Sequence, residues 1–290
     1  MLGIVLIDKP KGITSHDVVS RLRRRFQTKR IGHAGTLDPL ATGLLVLAVG
    51  PATRFLQYLP LEPKEYISTF KFGQTTNTFD AEGEVTQTRS VPANLEAAIA
   101  HNIDQFRGEI QQTPPMYSAV KVNGQPLYKY ARKGEEVEVK SRTVFIEEME
   151  LLEINGDEAE FRIVCSGGTY IRTLAHDLGE AIGCGAYISQ LARTQVGEFD
   201  IEDAVTLEDV GESDLIPLSK ALKPMPLERL NPIQIEYVRN GRQIQFRHSL
   251  TAKTIGLTDQ EGNVIGIGHV VGNMVQPECI IPAEVIHGTV

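Results

Sequence analysis

The stretch GHAGTLDPLATGLLVLAVG, residues 32–50, places the tightest limits on the fold. Its end, LLVLAVG (44–50), is apolar throughout, so it needs cover as either a buried strand or an inner helix segment. The same stretch carries a single acid, Asp38, with Gly32, Gly35 and Gly43 around it. Asp followed by Pro39 is a good helix start, the carboxylate capping free N–H groups and the proline taking the first helical position. A cap does not account for the glycines or for His33 and Thr36, and glycines gathered near one acid are expected where something approaches the backbone closely. A lone carboxylate can also act as nucleophile or base without a metal. From this stretch alone both readings stand.

The flanking segments alternate in type. GIVLID (3–8) reads as a short buried strand followed by the turn KPKG. TSHDVVSRLRRRF reads as a helix capped by Ser15, with Val18, Val19, Leu22 and Phe26 on one face and arginines on the others. YISTFKFG (66–73) alternates with period two and predicts a strand. NLEAAIAHNIDQF predicts a helix with Leu95, Ile99, Ile103 and Phe106 inward. Residues 113–142, polar and rich in Pro, Gly and Tyr, suggest an exposed excursion. EAEFRIVCSGG predicts a strand and GTYIRTLAHDLGEAIG a helix that buries Ile171, Leu174, Leu178 and Ile182. Four prolines from Pro217 to Pro232 mark a linker, after which RQIQF, TIGLTD and VIGIGHVV predict a small β-rich module. Strands and helices in mixed order give an α+β class. The expected division is a large domain over 1–225 and a small one over 226–290.

The net charge of −8 argues at first against a polyanionic partner, but its distribution does not. Residues 1–60 hold nine Lys and Arg against three acids, a local excess of six positive charges. Binding responds to the field within a Debye length of ~8 Å, so this patch can hold a nucleic acid. A solvated helix face accounts for the same charges. The odd, scattered Cys165, Cys184 and Cys279 form no CxxC pair and are expected as reduced thiols. The N-terminal MLGIVLIDKPKG does not read as a signal peptide, and no apolar run reaches the ~18 residues of a membrane span, so no membrane association and a cytoplasmic location are expected.

Three further residues invite chemistry. Tyr66 opens a strand and serves either as a core aromatic or as a plate for a base. Arg172 has no carboxylate at i−4, i+3 or i+4 and sits near a helix start, where an arginine does not favour the macrodipole; its partner is therefore expected to be non-local. His33 is open to reading as a ligand, a base or a stacking plate, although a lone histidine in a glycine-rich loop is more often a hydrogen-bonded loop residue. No HExxH, P-loop, GxGxxG or GxSxG signature is present, so metal, nucleotide and common serine-hydrolase chemistry have no support.

In combination the segments say more. LIDKPKGITS (6–15), GHAGTLDPLATGLL (32–45), YISTFKFGQTTNTFDAEG (66–83) and CSGGTYIRTLAHDLG (165–179) occur in this order and together closely resemble the TruB family of tRNA pseudouridine-55 synthases. TPPMYSAVKVNGQPLYKYAR (113–132) resembles that family's RNA-contacting insertion, and the C-terminal end its PUA-type RNA-binding module. The resemblance implies a central mixed, mostly antiparallel sheet flanked by helices. It also implies an isomerase that turns one T-loop uridine of tRNA, position 55, into pseudouridine by flipping the base and moving the glycosidic bond from N1–C1′ to C5–C1′.

By the same resemblance Asp38 is the catalytic aspartate, Tyr66 the tyrosine that stacks on the base and takes the C5 proton, and Arg172 the partner of the aspartate. His33 fills the stack left by the flipped nucleotide. Asp80 is a polar site residue, Lys9 and Pro10 form the strand-end motif near the pocket, and Leu191 lines it; Tyr170 belongs to the same substrate site. The basic residues Arg21, Arg24, Arg25, Lys29 and Arg30 are the expected RNA backbone contacts. No cofactor or metal is required, and the T-stem-loop of tRNA is the expected partner of a monomer without an obligate protein partner. The rivals are a guide-RNA-dependent synthase, an RNA-binding or tRNA-folding protein that does not need Asp38, and a glycoside hydrolase, which normally needs two carboxylates.

Overall fold

The computed structural model describes residues 1–135, 137–246 and 251–282. Its centre is a nine-stranded sheet. The order along its main path is Gly3–Lys9, Thr42–Val49, Ala186–Val196, Lys64–Phe72, Glu158–Cys165, Arg142–Asn155 and Gly108–Gln112. Ile31–His33 adds to the Thr42–Val49 strand, and Phe199–Asp200 to the Ala186–Val196 strand. Every pairing is antiparallel except that between Ala186–Val196 and Thr42–Val49. The α+β expectation is borne out.

The ambiguous run 44–50 is a strand, and its burial explains the unbroken apolar sequence. Successive side chains point to opposite faces of a strand, and here both faces are covered. Leu45, Leu47 and Val49 join one core with Val18, Val19 and Leu22 of the Ser15–Arg25 helix, Leu95 and Ile99 of the Leu95–Asn102 helix, and Leu174 and Leu178 of the Ile171–Ile182 helix. Leu44, Val46 and Ala48 join a second core with Ala52 and Phe55, and with Val264, Ile267 and Ile281 from the C-terminal module. The predicted alternation of the Lys64–Phe72 strand also holds, with Tyr66, Ser68, Phe70 and Phe72 buried.

Two expectations near Asp38 are overturned. Asp38–Pro39 does not start a helix: the chain makes a turn, with the Ala41 N–H donating to the Asp38 carbonyl at 3.1 Å, and enters the Thr42–Val49 strand directly. The pull of two-sided burial on the run that follows wins over the local capping preference. Ser15 is not the cap of the first helix either. Thr14 is, in a capping box with Asp17, which frees the Ser15 hydroxyl to accept from the Leu37 N–H at 2.8 Å and donate to the Leu37 carbonyl at 3.0 Å.

Residues 113–142 are not simply an exposed excursion. They contain a small hairpin, Lys121–Val122 with Gln125–Pro126, and the Leu127–Ala131 helix, whose Leu127 is fully buried. The proline-rich stretch is not an open linker: Leu218, Ala221 and Leu222 pack into the second core, and Pro232 starts the Pro232–Arg239 helix. Beyond it a five-stranded sheet runs Leu227–Arg229, Thr254–Thr258, Val264–Val271, Met274–Ile280 and Ile244–Gln245, with its own core around Leu230, Val238 and Leu257. The Met274–Ile280 strand had no counterpart in the sequence reading. Residues 283–290 of the expected C-terminal module lie outside the described residues, as do 247–250. Among the described residues no helix is long and apolar enough to cross a membrane.

Gly43 sits where the parallel pair closes, with φ +93°, and a Cβ there would come within 2.3 Å of the Arg193 carbonyl oxygen. Gly12 has a similar φ of +88° but open space around it. Gly43→Ala is therefore expected to cost about 3 kcal/mol or more, from the left-handed backbone plus overpacking, and Gly12→Ala about 1 kcal/mol. Urea unfolding of the two variants checks the difference.

Candidate active site

Four segments converge on one guanidinium. Arg172 lies in the first turn of the Ile171–Ile182 helix and is 4% exposed. Its Nη2 lies 3.0 Å from Asp38 Oδ2 and donates to the Tyr117 carbonyl at 2.9 Å. Its Nη1 donates to the Thr78 carbonyl at 3.0 Å and to Asp80 Oδ2 at 3.3 Å. The non-local acid expected for Arg172 is thus two acids, brought in by the loop before Thr42 and by the turn 76–80.

The two carboxylates are held differently. Asp80 is buried, and its Oδ1 accepts from the Thr78 hydroxyl at 2.6 Å and from the Glu82 N–H at 3.0 Å. Asp38 is half-buried, and among the described residues its Oδ1 makes no hydrogen bond. Burial pushes the Asp38 carboxyl above the usual carboxylate range; Arg172 opposes the shift and Asp80 adds to it. Asp80 is a fully bonded structural charge. Asp38 is the less constrained of the two, set between the buried Leu37 and Leu40.

Asp38 and Arg172 form the wall between two cavities of about 270 and 340 Å³. The smaller is also lined by Tyr66, Tyr170, Leu191, Lys64, Arg142 and Arg193. Tyr66 is buried, and burial raises its phenol above the ordinary range while the Arg193 guanidinium opposes the shift. Tyr170 stacks under the Arg142 guanidinium, 4.7 Å from ring centre to Cζ, and its backbone exchanges hydrogen bonds with the Gln112 side chain at 2.7 and 3.0 Å. Asp80 lines the larger cavity, together with Tyr117, Ser118 and Ala119 of the 113–142 segment.

Other expected residues lie outside both linings. Lys9 is fully buried, its ammonium donating to the Pro10 and Ile13 carbonyls at 2.9 and 2.8 Å. Burial pushes that ammonium down to about 8, and the Asp38 charge opposes the shift. Pro10 enters as a carbonyl acceptor for Lys9. His33 is half-buried on the Ile31–His33 strand, its Nδ1 without a partner, and burial lowers its pKa. Arg21, Arg24, Arg25, Lys29 and Arg30 are exposed at one end of the first helix, apart from the site cavities. The three glycines near Asp38 serve separate ends. Gly35 lines the smaller cavity, Gly32 packs on Leu56 and Thr53, and Gly43 on the Arg193 backbone. Among the described residues no group of three His, Cys, Asp or Glu is placed to hold a metal ion.

Phe79 and His176 escaped the sequence reading. Phe79 sits between the two groups that meet Arg172 Nη1, with φ +62°, an uncommon conformation for a bulky residue. Its ring stacks on His176 at 3.9 Å and 12°. His176 is four residues after Arg172, on the same helix face. The helix therefore grips one turn twice, by guanidinium and by ring. The only sequence signal was the i, i+4 spacing of Arg172 and His176, and nothing in it pointed to residue 79.

Two model matches divide the chain: residues 23–171 match the TruB family pseudouridylate synthase N-terminal domain, and 172–228 the tRNA pseudouridylate synthase B C-terminal domain. A tRNA pseudouridine synthase B of Pseudomonas putida is 44% identical over 279 residues, covering 92% of this chain and 91% of that protein. The protein of the same name from Opitutus terrae is 49% identical over 223 residues, covering 77% and 92%. Among solved structures, an H/ACA RNP bound to a substrate RNA containing 2′-deoxyuridine has a TM-score of 0.71 at 25% identity, covering 97% of this chain and 85% of that one. A Cbf5–Nop10–Gar1 complex has a TM-score of 0.72 at 26% identity, covering 99% and 87%.

A raised carboxyl pKa means that the folded state binds the proton more tightly than the unfolded chain, so ionised Asp38 weakens the fold above that pKa and the penalty fades as pH falls through it. Asp38→Asn, a permanently neutral isostere, is expected to melt at or above the wild-type temperature at pH 8, with the gap closing toward pH 4. Thermal unfolding across that range reads it. For Phe79, the left-handed backbone inverts the usual order: Phe79→Gly is expected to be more stable than Phe79→Ala by about 1 kcal/mol in urea unfolding.

Proposed function

The chain belongs to the TruB family of pseudouridylate synthases, and we propose that it isomerises the T-loop uridine at position 55 of tRNA with Asp38 as the reacting group. Conversion of uridine to pseudouridine in tRNA is its activity. The observation that carries the assignment to Asp38 is its half-buried carboxylate, 3.0 Å from Arg172 Nη2, at the wall of a cavity that also holds Tyr66.

The reaction breaks N1–C1′, turns the uracil and joins C5 to C1′, with the C5 proton leaving. Those atoms are shielded inside a folded loop, so the nucleotide must be flipped out, at a cost of a few kcal/mol that stacking and backbone contacts offset. Asp38 Oδ1 faces the entering nucleotide as an ionised carboxylate. Arg172 holds Oδ2 and limits the pKa rise that burial imposes. Attack at C1′, addition at C6 and removal of a sugar proton all begin from this carboxylate. Tyr66 supplies the stacking surface. Its phenol, which burial keeps protonated, can take the C5 proton only as a relay, passing its own hydroxyl proton on to solvent. Lys9, anchored on two carbonyls behind the loop, adds positive potential at Asp38 without contacting it. His33 occupies the space that the flipped nucleotide leaves, and the exposed arginines of the first helix with Lys29 and Arg30 meet the RNA backbone.

The enzyme works without a guide RNA or protein partner. This reading is supported by 44–49% identity to the tRNA pseudouridine synthase B relatives, against 25–26% to chains of the RNP complexes.

Tritium release from tRNA labelled at uridine C5 tests the assignment. Wild type is expected to release it from tRNA carrying the target uridine and not from tRNA lacking it, with no added RNA or protein. Asp38→Asn is expected to bind tRNA and release nothing above background; undiminished release would reassign the reacting group. Arg172→Lys keeps the charge but loses the fork, and is expected to slow turnover about 100-fold. Wild-type turnover should fall as pH drops through the raised Asp38 pKa.

A further inference from the structure

The smaller cavity carries more positive charge than a uracil needs. Its lining holds one acid, Asp38, and four cations, Lys64, Arg142, Arg172 and Arg193. Arg172 is neutralised by Asp38 and Asp80. Among the described residues none of the other three has an ion pair.

Two of the three are held by the fold. Arg193 is 1% exposed, its Nε donating to the Leu44 carbonyl at 2.8 Å and its Nη2 to the Gly35 carbonyl at 3.4 Å. Arg142 donates to the Gly168 carbonyl and lies on the Tyr170 ring. Lys64 is half-buried and makes no hydrogen bond among the described residues; burial and the Arg193 charge lower its pKa, and the neighbouring Glu62 carboxylate opposes the shift. Glycines stand where side chains would fill the space. A Cβ on Gly35 would lie 3.6 Å from both Lys64 Nζ and Arg193 Nη1, so these two nitrogens are no more than about 7 Å apart. A Cβ on Gly167 would lie 2.3 Å from Glu62 Oε1 and 3.6 Å from Lys64 Nζ, and one on Gly168 3.5 Å from Arg142 Nη1.

We propose that Lys64, Arg193 and Arg142, with the Gly35 and Gly167–Gly168 backbone, form a phosphate subsite that takes one phosphodiester adjoining the flipped uridine. This rests on the activity argued above. Uracil and ribose are neutral and bring no anion to Arg142 and Arg193, which have no ion pair, or to Lys64, whose nearby carboxylate is the exposed Glu62. A phosphodiester carries one full charge and accepts from two nitrogens at ~2.8 Å each, which the upper bound on the Lys64–Arg193 spacing permits. Fixing that phosphate next to Asp38 sets how deeply C1′ enters the cavity.

The test is a double-mutant cycle across the interface, read as RNA affinity in an Asp38→Asn background so that no turnover intervenes. The RNA is a T-stem-loop with a neutral methylphosphonate either 5′ or 3′ to the target uridine. Lys64→Met is expected to weaken binding of the unmodified RNA about 10-fold and to reduce the slope of log affinity against log salt by ~0.7–0.9. Lys64→Arg should restore most of the affinity. At one of the two linkages the methylphosphonate should cause a similar loss, and Lys64→Met should then add nothing. Losses that multiply at both linkages would overturn the proposal. So would an unchanged affinity with only slower turnover in the Asp38-containing Lys64→Met protein, which would place these cations on the departing uracil anion. Wild-type tritium release from the same unmodified RNA reads the activity separately, so the two can fail independently.

Discussion

Everything at the site depends on the Arg172 fork. One buried guanidinium takes four oxygens from three segments distant in sequence: the loop before Thr42, the turn 76–80 and the 113–142 segment. A buried charge of this kind is tolerable only when it is bonded on most sides. The cluster therefore acts as a latch. The helix that carries Arg172 is pinned to the core through Ile171, Leu174 and Ala175, and the loops are drawn to it. The 113–142 segment, which by composition belongs in solvent, contributes a carbonyl to the same latch and closes over the cavity.

Two carboxylates on one guanidinium leave a net negative charge, and the hydrogen bonds decide where it is available. Asp80 spends its oxygens on Thr78, Glu82 and Arg172, so its charge is delocalised over fixed donors. Asp38 keeps one oxygen free. The second acid also raises the pKa of the first, against Arg172. Asp80 thus tunes its neighbour while holding Arg172 in place. The glycoside-hydrolase rival needs two carboxylates. Here both acids bind the same arginine, whereas hydrolysis of that kind places its two carboxyl groups on opposite sides of the bond.

What was legible in the sequence was what periodicity and local chemistry could carry. The alternation at 66–72 and the helical faces at 15–26 and 171–182 emerged as read. So did the inference that an arginine without a local acid has a distant one. The Asp-Pro cap failed because local preference competed with a run needing cover on both faces, and the cover comes partly from residues 264–281, more than 200 positions away. The glycines were read together although only Gly35 lines the cavity; the others answer to Leu56 and to the Arg193 backbone. Phe79 and Arg193 were invisible for a common reason. Each draws its meaning from a neighbour about 100 or more residues distant, His176 for one and the Gly35 and Leu44 carbonyls for the other. Long-range packing of this kind leaves no spacing signature.

The positive charge of this acidic chain falls into two populations with different physics. Arg21, Arg24, Arg25, Lys29 and Arg30 are exposed, so their field is screened within ~8 Å at physiological salt and serves to gather a polyanion to the surface. Lys64, Arg142 and Arg193 surround a cavity, where water is displaced and each contact is stronger, but they reach only a group already inside. Encounter and insertion are therefore carried by separate residues.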